Sequence, residues 1–315
     1  MGYIPFDALL TEEITTAQQN QFHNYPYLGL NYTICYGFSA TFLKELQQTN
    51  TTAKKNQLLA FAPSFQSQKM KVPSPDLEKS DLVYAQRSSL SPLFFNEAEV
   101  GQIAEEFGGV AYKDIAANKT KFIQEVTKYR YLHIASHGKM NEENADLSYI
   151  SFTQNGDSTN QEELLYLREL YDLEIPADMV VLSACETGIG ELQNGEGIIS
   201  LARGFSYAGA KSIITSLWNV NDQKTADLMV DFYGKLSEGQ SKDMALANAK
   251  RAYIKQNKGM FSHPFYWAGF VPIGNMKAIE PTTDRTWLVG IGLGGLLIGL
   301  MMYWRSKRQL SPNAI

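Results

Sequence analysis

The sequence predicts an α/β fold with a mostly parallel central sheet, followed by one transmembrane helix. Three observations carry that expectation. Short apolar runs alternate with amphipathic stretches over most of the chain, the order that strand-helix units produce. Two of those runs, MVVLSA and SIITSLW, are apolar on both faces, as strands covered by helices on each side must be. Near the end, WLVGIGLGGLLIGLMMYW holds no charge from Trp287 to Trp304. Its residues, at ~1.5 Å rise each, reach about 27 Å, close to the ~30 Å hydrocarbon core of a bilayer.

In chain order, LNYTICYG (30–37) reads as a strand, and Ser39 caps a helix in ATFLKELQQ. LLAFA (58–62) is a second strand, followed by a polar, Pro- and Ser-containing surface loop to about residue 90. Asn96 and Glu99 have the spacing of a helix N-cap and its partner ahead of EVGQIAEEFGG, which Gly108 and Gly109 stop. VAY, a helix over roughly 117–128 and the strand YLHIAS (131–136) follow. SYISF, MVVLSA and SIITSLW are further strands, with helices near 162–172 and 196–208 between them. Helices over about 222–237 and 242–256 then lead to HPFYWAGFVPIG and a closing strand. The body is thus expected over 1–274, a linker over 275–286, the membrane helix over 287–304 and a basic tail over 305–315. No internal repeat is present, which excludes a solenoid.

Composition narrows the function. With 315 residues and 44% hydrophobic content the chain can bury a large core. A net charge of -5 argues against nucleic acid as a partner, because phosphate binding needs clustered Lys and Arg. Cys35 and Cys185 form neither a disulfide framework nor a structural zinc site, which needs about four ligands. Gly188 and Gly190 are followed by Gln193 where a dinucleotide fingerprint has its third glycine. His133 and His137 lack the helical HExxH setting of a zinc peptidase. No metal and no cofactor is therefore expected.

The tail points to a lipid bilayer as a partner. Trp287, Tyr303 and Trp304 mark the ends of the span, and RSKR follows it, as aromatic belts and flanking basic residues do. Gly290 with Gly294, and Gly295 with Gly299, have the small-xxx-small spacing through which two such helices associate. The orientation cues oppose one another: the basic tail favours the cytoplasm, whereas residues 1–30 show no secretory signal that would send the body outside.

Two strand ends carry the chemistry. In YLHIASHGKM, His133 lies inside the apolar run and is expected to be a hydrogen-bonded core residue. His137 stands just past the run and is followed by Gly138, at the carboxyl end of a strand where open parallel sheets bind ligands. Cys185 occupies the equivalent place after MVVLSA, and the interval from 137 to 185 is 48 residues, near the ~50 that separate His and Cys in caspases. A cysteine of ordinary pKa, ~8.5, needs such an imidazole partner to be nucleophilic at neutral pH.

HIASHG, followed by LSACETGIGELQNGEGIISLARGFSYAGAKSIITSLWNVND, resembles the CHAT domain, a caspase-like cysteine peptidase fold related to separase. YIPFDALL, YLGLNYTICYGFSATFL, LSPLFFNEAEVGQIAEEFGG and HPFYWAGFVPIG extend the likeness across residues 3–274. The resemblance implies a caspase-like three-layer sandwich, with His137 as general base and Cys185 as nucleophile. It also implies an oxyanion hole from the amides of Gly138 and Cys185, and a substrate cleft bordered by Trp218 and Asn219. The implied activity is a cysteine endopeptidase acting on protein substrates. LSACETG lacks the caspase QACRG form, so the caspase aspartate preference does not carry over. The alternative the family offers is a catalytically silent scaffold or interaction module. CHAT domains usually follow tetratricopeptide repeats and begin with a further strand before the IPF segment. Here that segment opens the chain, so a repeat region is an expected partner in cis or trans, and the sheet is expected to lack its first strand.

Overall fold

Alternating apolar side chains build the centre of the molecule. In the computed structural model residues 4–48, 56–65, 92–141, 144–153, 163–183, 196–218 and 222–278 are described. The expected loop over 66–91, the stretch 184–195 with Cys185, Asn219, the linker from 279 onward, the span 287–304 and the tail lie outside the described residues. Among the described residues no helix is long and apolar enough to cross a membrane.

The strands are β1 (Asn56–Ala62), β2 (Gly109–Lys113), β3 (Tyr129–Ala135), β4 (Gly138–Lys139), β5 (Tyr149–Ser151), β6 (Leu164–Tyr166), β7 (Met179–Ser183), β8 (Ser212–Ser216) and β9 (Phe270–Gly274). Six of them form one sheet in the order β2-β1-β3-β7-β8-β9. All its pairings are parallel except the last, between β8 and β9. A small antiparallel sheet, β4-β5-β6, stands beside the carboxyl end of β3.

The helices are α1 (Leu28–Asn31), α2 (Ala40–Gln48), α3 (Asn96–Phe107), α4 (Lys119–Glu125), α5 (Leu167–Leu170), α6 (Glu196–Tyr207), α7 (Asp222–Ser237) and α8 (Lys242–Gln256). Strand side chains point alternately to opposite faces, and the core divides accordingly. Leu58, Ala60, Tyr131, Met179 and Val181 pack with Val100 and Ile103 of α3, Phe232 of α7 and Leu246 of α8. Leu59, Phe61, Leu132, Val180 and Leu182 pack with Phe122 of α4 and with Leu201 and Phe205 of α6. Each buried Val, Leu, Ile, Met or Phe among them contributes roughly 1.5–3 kcal/mol of transfer free energy. Both faces are covered, which gives the three layers expected.

Ser39 caps α2 as expected, its hydroxyl accepting from the Phe42 amide at 3.1 Å. Gly108 ends α3 with φ of 81°, a conformation that suits glycine. The amino-terminal segment is held by a buried ion pair, Lys250 Nζ to Asp7 Oδ2 at 2.5 Å, and Lys250 also donates to the Phe270 carbonyl at 2.6 Å.

Three local expectations are corrected. LNYTICYG is not a strand: α1 ends at Asn31, and beyond it Tyr36 alone bridges β9 at Ile273. The Tyr36 amide donates to the Pro272 carbonyl at 2.8 Å and its own carbonyl accepts from Gly274 at 3.0 Å. To extend the parallel ladder backward, Ile34 would need an amide from Pro272, which has none. The helix expected over 162–172 is instead β6 followed by the single turn α5, because Leu165 pairs with Ile150 and Glu169 reaches back to the Tyr166 amide at 2.8 Å. Asn96 and Glu99 do not form a cap and its partner: the N-cap position is Phe95, and both side chains are buried against the sheet.

Candidate active site

The site begins where β3 and β7 end. Their parallel register closes at Ala135 opposite Ser183, and the Ser136 amide donates to the Ser183 carbonyl at 3.1 Å. The Ser136 hydroxyl donates to the Ser151 carbonyl. His137 follows, buried with 3% of its surface exposed, and the ring of Phe65 meets its imidazole edge-on with centroids 4.6 Å apart. Phe65 leaves the carboxyl end of β1 on a loop pinned by Ser64, whose amide donates to Thr153 Oγ1 at 2.9 Å and whose hydroxyl donates to Asp114.

Gly138 opens β4 opposite Ile150 of β5. The Ser151 amide donates to the His137 carbonyl at 2.8 Å, so His137 faces β5 and Gly138, one residue on, turns its amide away from β5. The indole N–H of half-buried Trp218, two residues beyond the end of β8, donates to the Phe265 carbonyl at 2.9 Å. The structure therefore brings His137, Gly138 and Trp218 to the carboxyl edge of the parallel strands. Cys185 and Asn219 are outside the described residues.

Beneath these positions lies a buried polar set that the sequence reading did not find. Glu99 Oε1 is 2.9 Å from His133 Nε2 and accepts from the Ser183 hydroxyl at 2.8 Å. His133 Nδ1 is 3.2 Å from the Tyr233 hydroxyl. One hydrogen arrangement satisfies all of them: Nε2–H donates to Glu99, and Nδ1 accepts from Tyr233. Burial first, and the Glu99 charge second, push the Tyr233 pKa far up, which keeps its proton in place. One turn earlier, Asn96 Nδ2 donates to the carbonyls of Pro63 at 2.9 Å and Ala135 at 3.2 Å. His133 is thus the hydrogen-bonded core histidine expected. The available signal was positional: Asn96 and Glu99 share the helix face of Val100, Ile103 and Phe107, where polar residues need partners.

Among the described residues no group of three or more His, Cys, Asp or Glu could hold a metal ion. The CHAT-domain family model matches residues 1–275. The chain belongs to the CHAT-domain family. Tetratricopeptide repeat protein 28 of Homo sapiens is 35% identical over 138 residues, which are 44% of this chain and 5% of that protein. Its Mus musculus counterpart is 33% identical over the same length and shares. This CHAT chain therefore matches about a twentieth of those relatives. Among solved structures, the Arg-specific cysteine proteinase gingipain R matches 71% of the chain and 47% of its own at 11% identity, with a TM-score of 0.38. The separase–securin complex of Saccharomyces cerevisiae matches 81% of the chain and 14% of its own, at 11% identity and a TM-score of 0.43. At these scores the likenesses carry no argument about chemistry.

Proposed function

We propose that this CHAT domain is a caspase-like cysteine endopeptidase for protein substrates, anchored in a membrane by residues 287–304. His137 acts as the general base and Cys185 as the nucleophile. The observation that carries this reading is the register of β3 and β7. These are adjacent parallel strands whose last pair is Ala135 and Ser183, and His137 and Cys185 each stand two residues past that pair in the sequence. Such spacing at neighbouring strand ends suits proton transfer between imidazole and thiol.

In the proposed reaction His137 takes the thiol proton, and the thiolate attacks the scissile carbonyl. The oxyanion that forms is met by the amides of Gly138 and Cys185, and the turning of Gly138 away from β5 supports that assignment. His137 then returns the proton to the leaving amine, and water hydrolyses the thioester. Trp218 and Asn219 border the cleft. Partners are the protein substrate, the bilayer and a tetratricopeptide-repeat region, for which the names of the human and mouse relatives are the support. The membrane helices associate through Gly290, Gly294, Gly295 and Gly299.

A cysteine-directed acyloxymethyl ketone probe tests the reading on the full chain. Labelling is expected at Cys185 and is expected to vanish in Cys185→Ala and His137→Ala; labelling that persists in both, or none in the parent, refutes the peptidase. Retention of the chain in the membrane pellet after alkaline carbonate tests the anchor. The covering of His137 by Phe65 favours a second reading, a silent scaffold, and absence of labelling together with capture of a repeat-containing protein is its expected result.

A further inference from the structure

The proposed dyad has a foundation that neither of its members belongs to. Glu99, on the first turn of α3, reaches two strands at once. It holds His133 on β3, four residues before His137, and Ser183 on β7, two residues before Cys185. Asn96 on the same turn holds the last carbonyl of β3, at Ala135, and that of Pro63 just past β1. All four side chains are buried, with Glu99 2% exposed and His133 fully covered. A polar set in such surroundings is costly to disturb and fixes geometry accordingly.

We propose that Glu99 and Ser183 are positioning residues for the candidate dyad, setting how far β7 advances beside β3 and hence the separation of the His137 imidazole from the Cys185 thiol. This rests on the dyad proposed above. The parallel backbone ladder fixes which residues of the two strands pair, and the Glu99 bonds to His133 and Ser183 adjust the strand ends within that register. Among the described residues the Ser183 hydroxyl is the side-chain link from Glu99 to β7, and Ser183 stands two residues before Cys185 in the sequence. Loss of that link frees the end of β7 to shift by fractions of an ångström, while β3 stays held by His133 and Asn96. Imidazole and thiol then lose their alignment, and the thiol reverts toward an ordinary pKa of ~8.5.

The test needs no substrate. On the full chain in a Cys35→Ser background, the rate of alkylation of Cys185 by iodoacetamide is followed against pH for the parent and for His137→Ala, Ser183→Ala, Ser183→Thr and Glu99→Leu. The parent is expected to react with a midpoint below ~8.5, and His137→Ala to return it there. Ser183→Ala and Glu99→Leu are expected to move the midpoint up and to slow the reaction at pH 7 by about fivefold, the factor one net hydrogen bond is worth. Ser183→Thr, which keeps the hydroxyl, is expected to stay within about twofold of the parent on the same scale. A structural role alone would lower the melting temperature of Ser183→Ala and leave its pH profile on that of the parent; that result overturns the positioning role while the dyad stands. A parent that already behaves as a free thiol, unchanged by His137→Ala, overturns the dyad itself.

Discussion

Replacing Asp7 by alanine isolates a deeply buried lysine–carboxylate ion pair. Lys250 Nζ donates to Asp7 Oδ2 at 2.5 Å, with both side chains 4% exposed, and its remaining described acceptor is the Phe270 carbonyl at 2.6 Å. In Asp7→Ala the ammonium stays buried with one neutral partner. Breaking a buried pair in this way costs about 3–5 kcal/mol, a large part of the ~5–15 kcal/mol that holds a domain together. At a urea m-value of ~3 kcal/mol/M, a loss of ~4 kcal/mol moves the unfolding midpoint down by about 1.3 M. Tryptophan fluorescence of the full chain in urea reads the shift. Asp7→Leu with Lys250→Met, which removes both charges, should lie within ~1.5 kcal/mol of the parent, because the residual loss is one carbonyl without its donor. A loss below ~1 kcal/mol in Asp7→Ala, or a double variant as unstable as the single, would refute the reasoning.

Burial holds the Lys242 pKa down to about 8, against 10.5 for the free side chain, while Nζ donates to the carbonyls of Asp178 and Asn275 at 3.0 Å each. Between those two values the unfolded chain keeps a proton that the folded chain has released, so this group's contribution to stability rises with pH there. The parent should gain on Lys242→Met by as much as ~1.4 kcal/mol per pH unit across that window, measured by urea unfolding; a flat difference would sink the assignment. Gly274 has φ of 98°, and a Cβ there would lie 2.5 Å from the Lys211 carbonyl oxygen. Gly274→Ala should therefore cost about 2 kcal/mol or more in thermal unfolding, and a neutral result would contradict the strain. Asn118 caps α4 by accepting from the Lys121 amide at 2.9 Å, so Asn118→Ala should cost about 1 kcal/mol by the same measurement.

Most of the fold was legible because its strands announce themselves. Runs such as MVVLS and SIITS carry no charge and centre on Val, Leu and Ile, and in the structure every one of their residues is buried. What the sequence reading missed depends on pairings distant in the chain. LNYTICYG has the composition of a strand, and the proline that limits it to one bridge lies at position 272. Leu164–Tyr166 follows a helix-like acidic start, yet pairs with β5 because β4 and β5 offer it an edge. At the site, His137 and Gly138 were legible as residues following an apolar run, and their placement at the end of β3 follows from that. Glu99 was not, since its partners His133 and Ser183 lie 34 and 84 residues away, and its spacing from Asn96 mimics a cap.

The outer edge of β9 has a further consequence, for assembly. Pro272 turns its carbonyl outward to Tyr36, and its ring nitrogen, on the same side, offers no hydrogen. A strand arriving from another molecule would find that carbonyl already taken and a gap in the row of donors, so the sheet cannot be lengthened there by backbone pairing. At that rim the Tyr36 amide and the Pro272 ring together leave an incoming strand without a regular pair of backbone bonds.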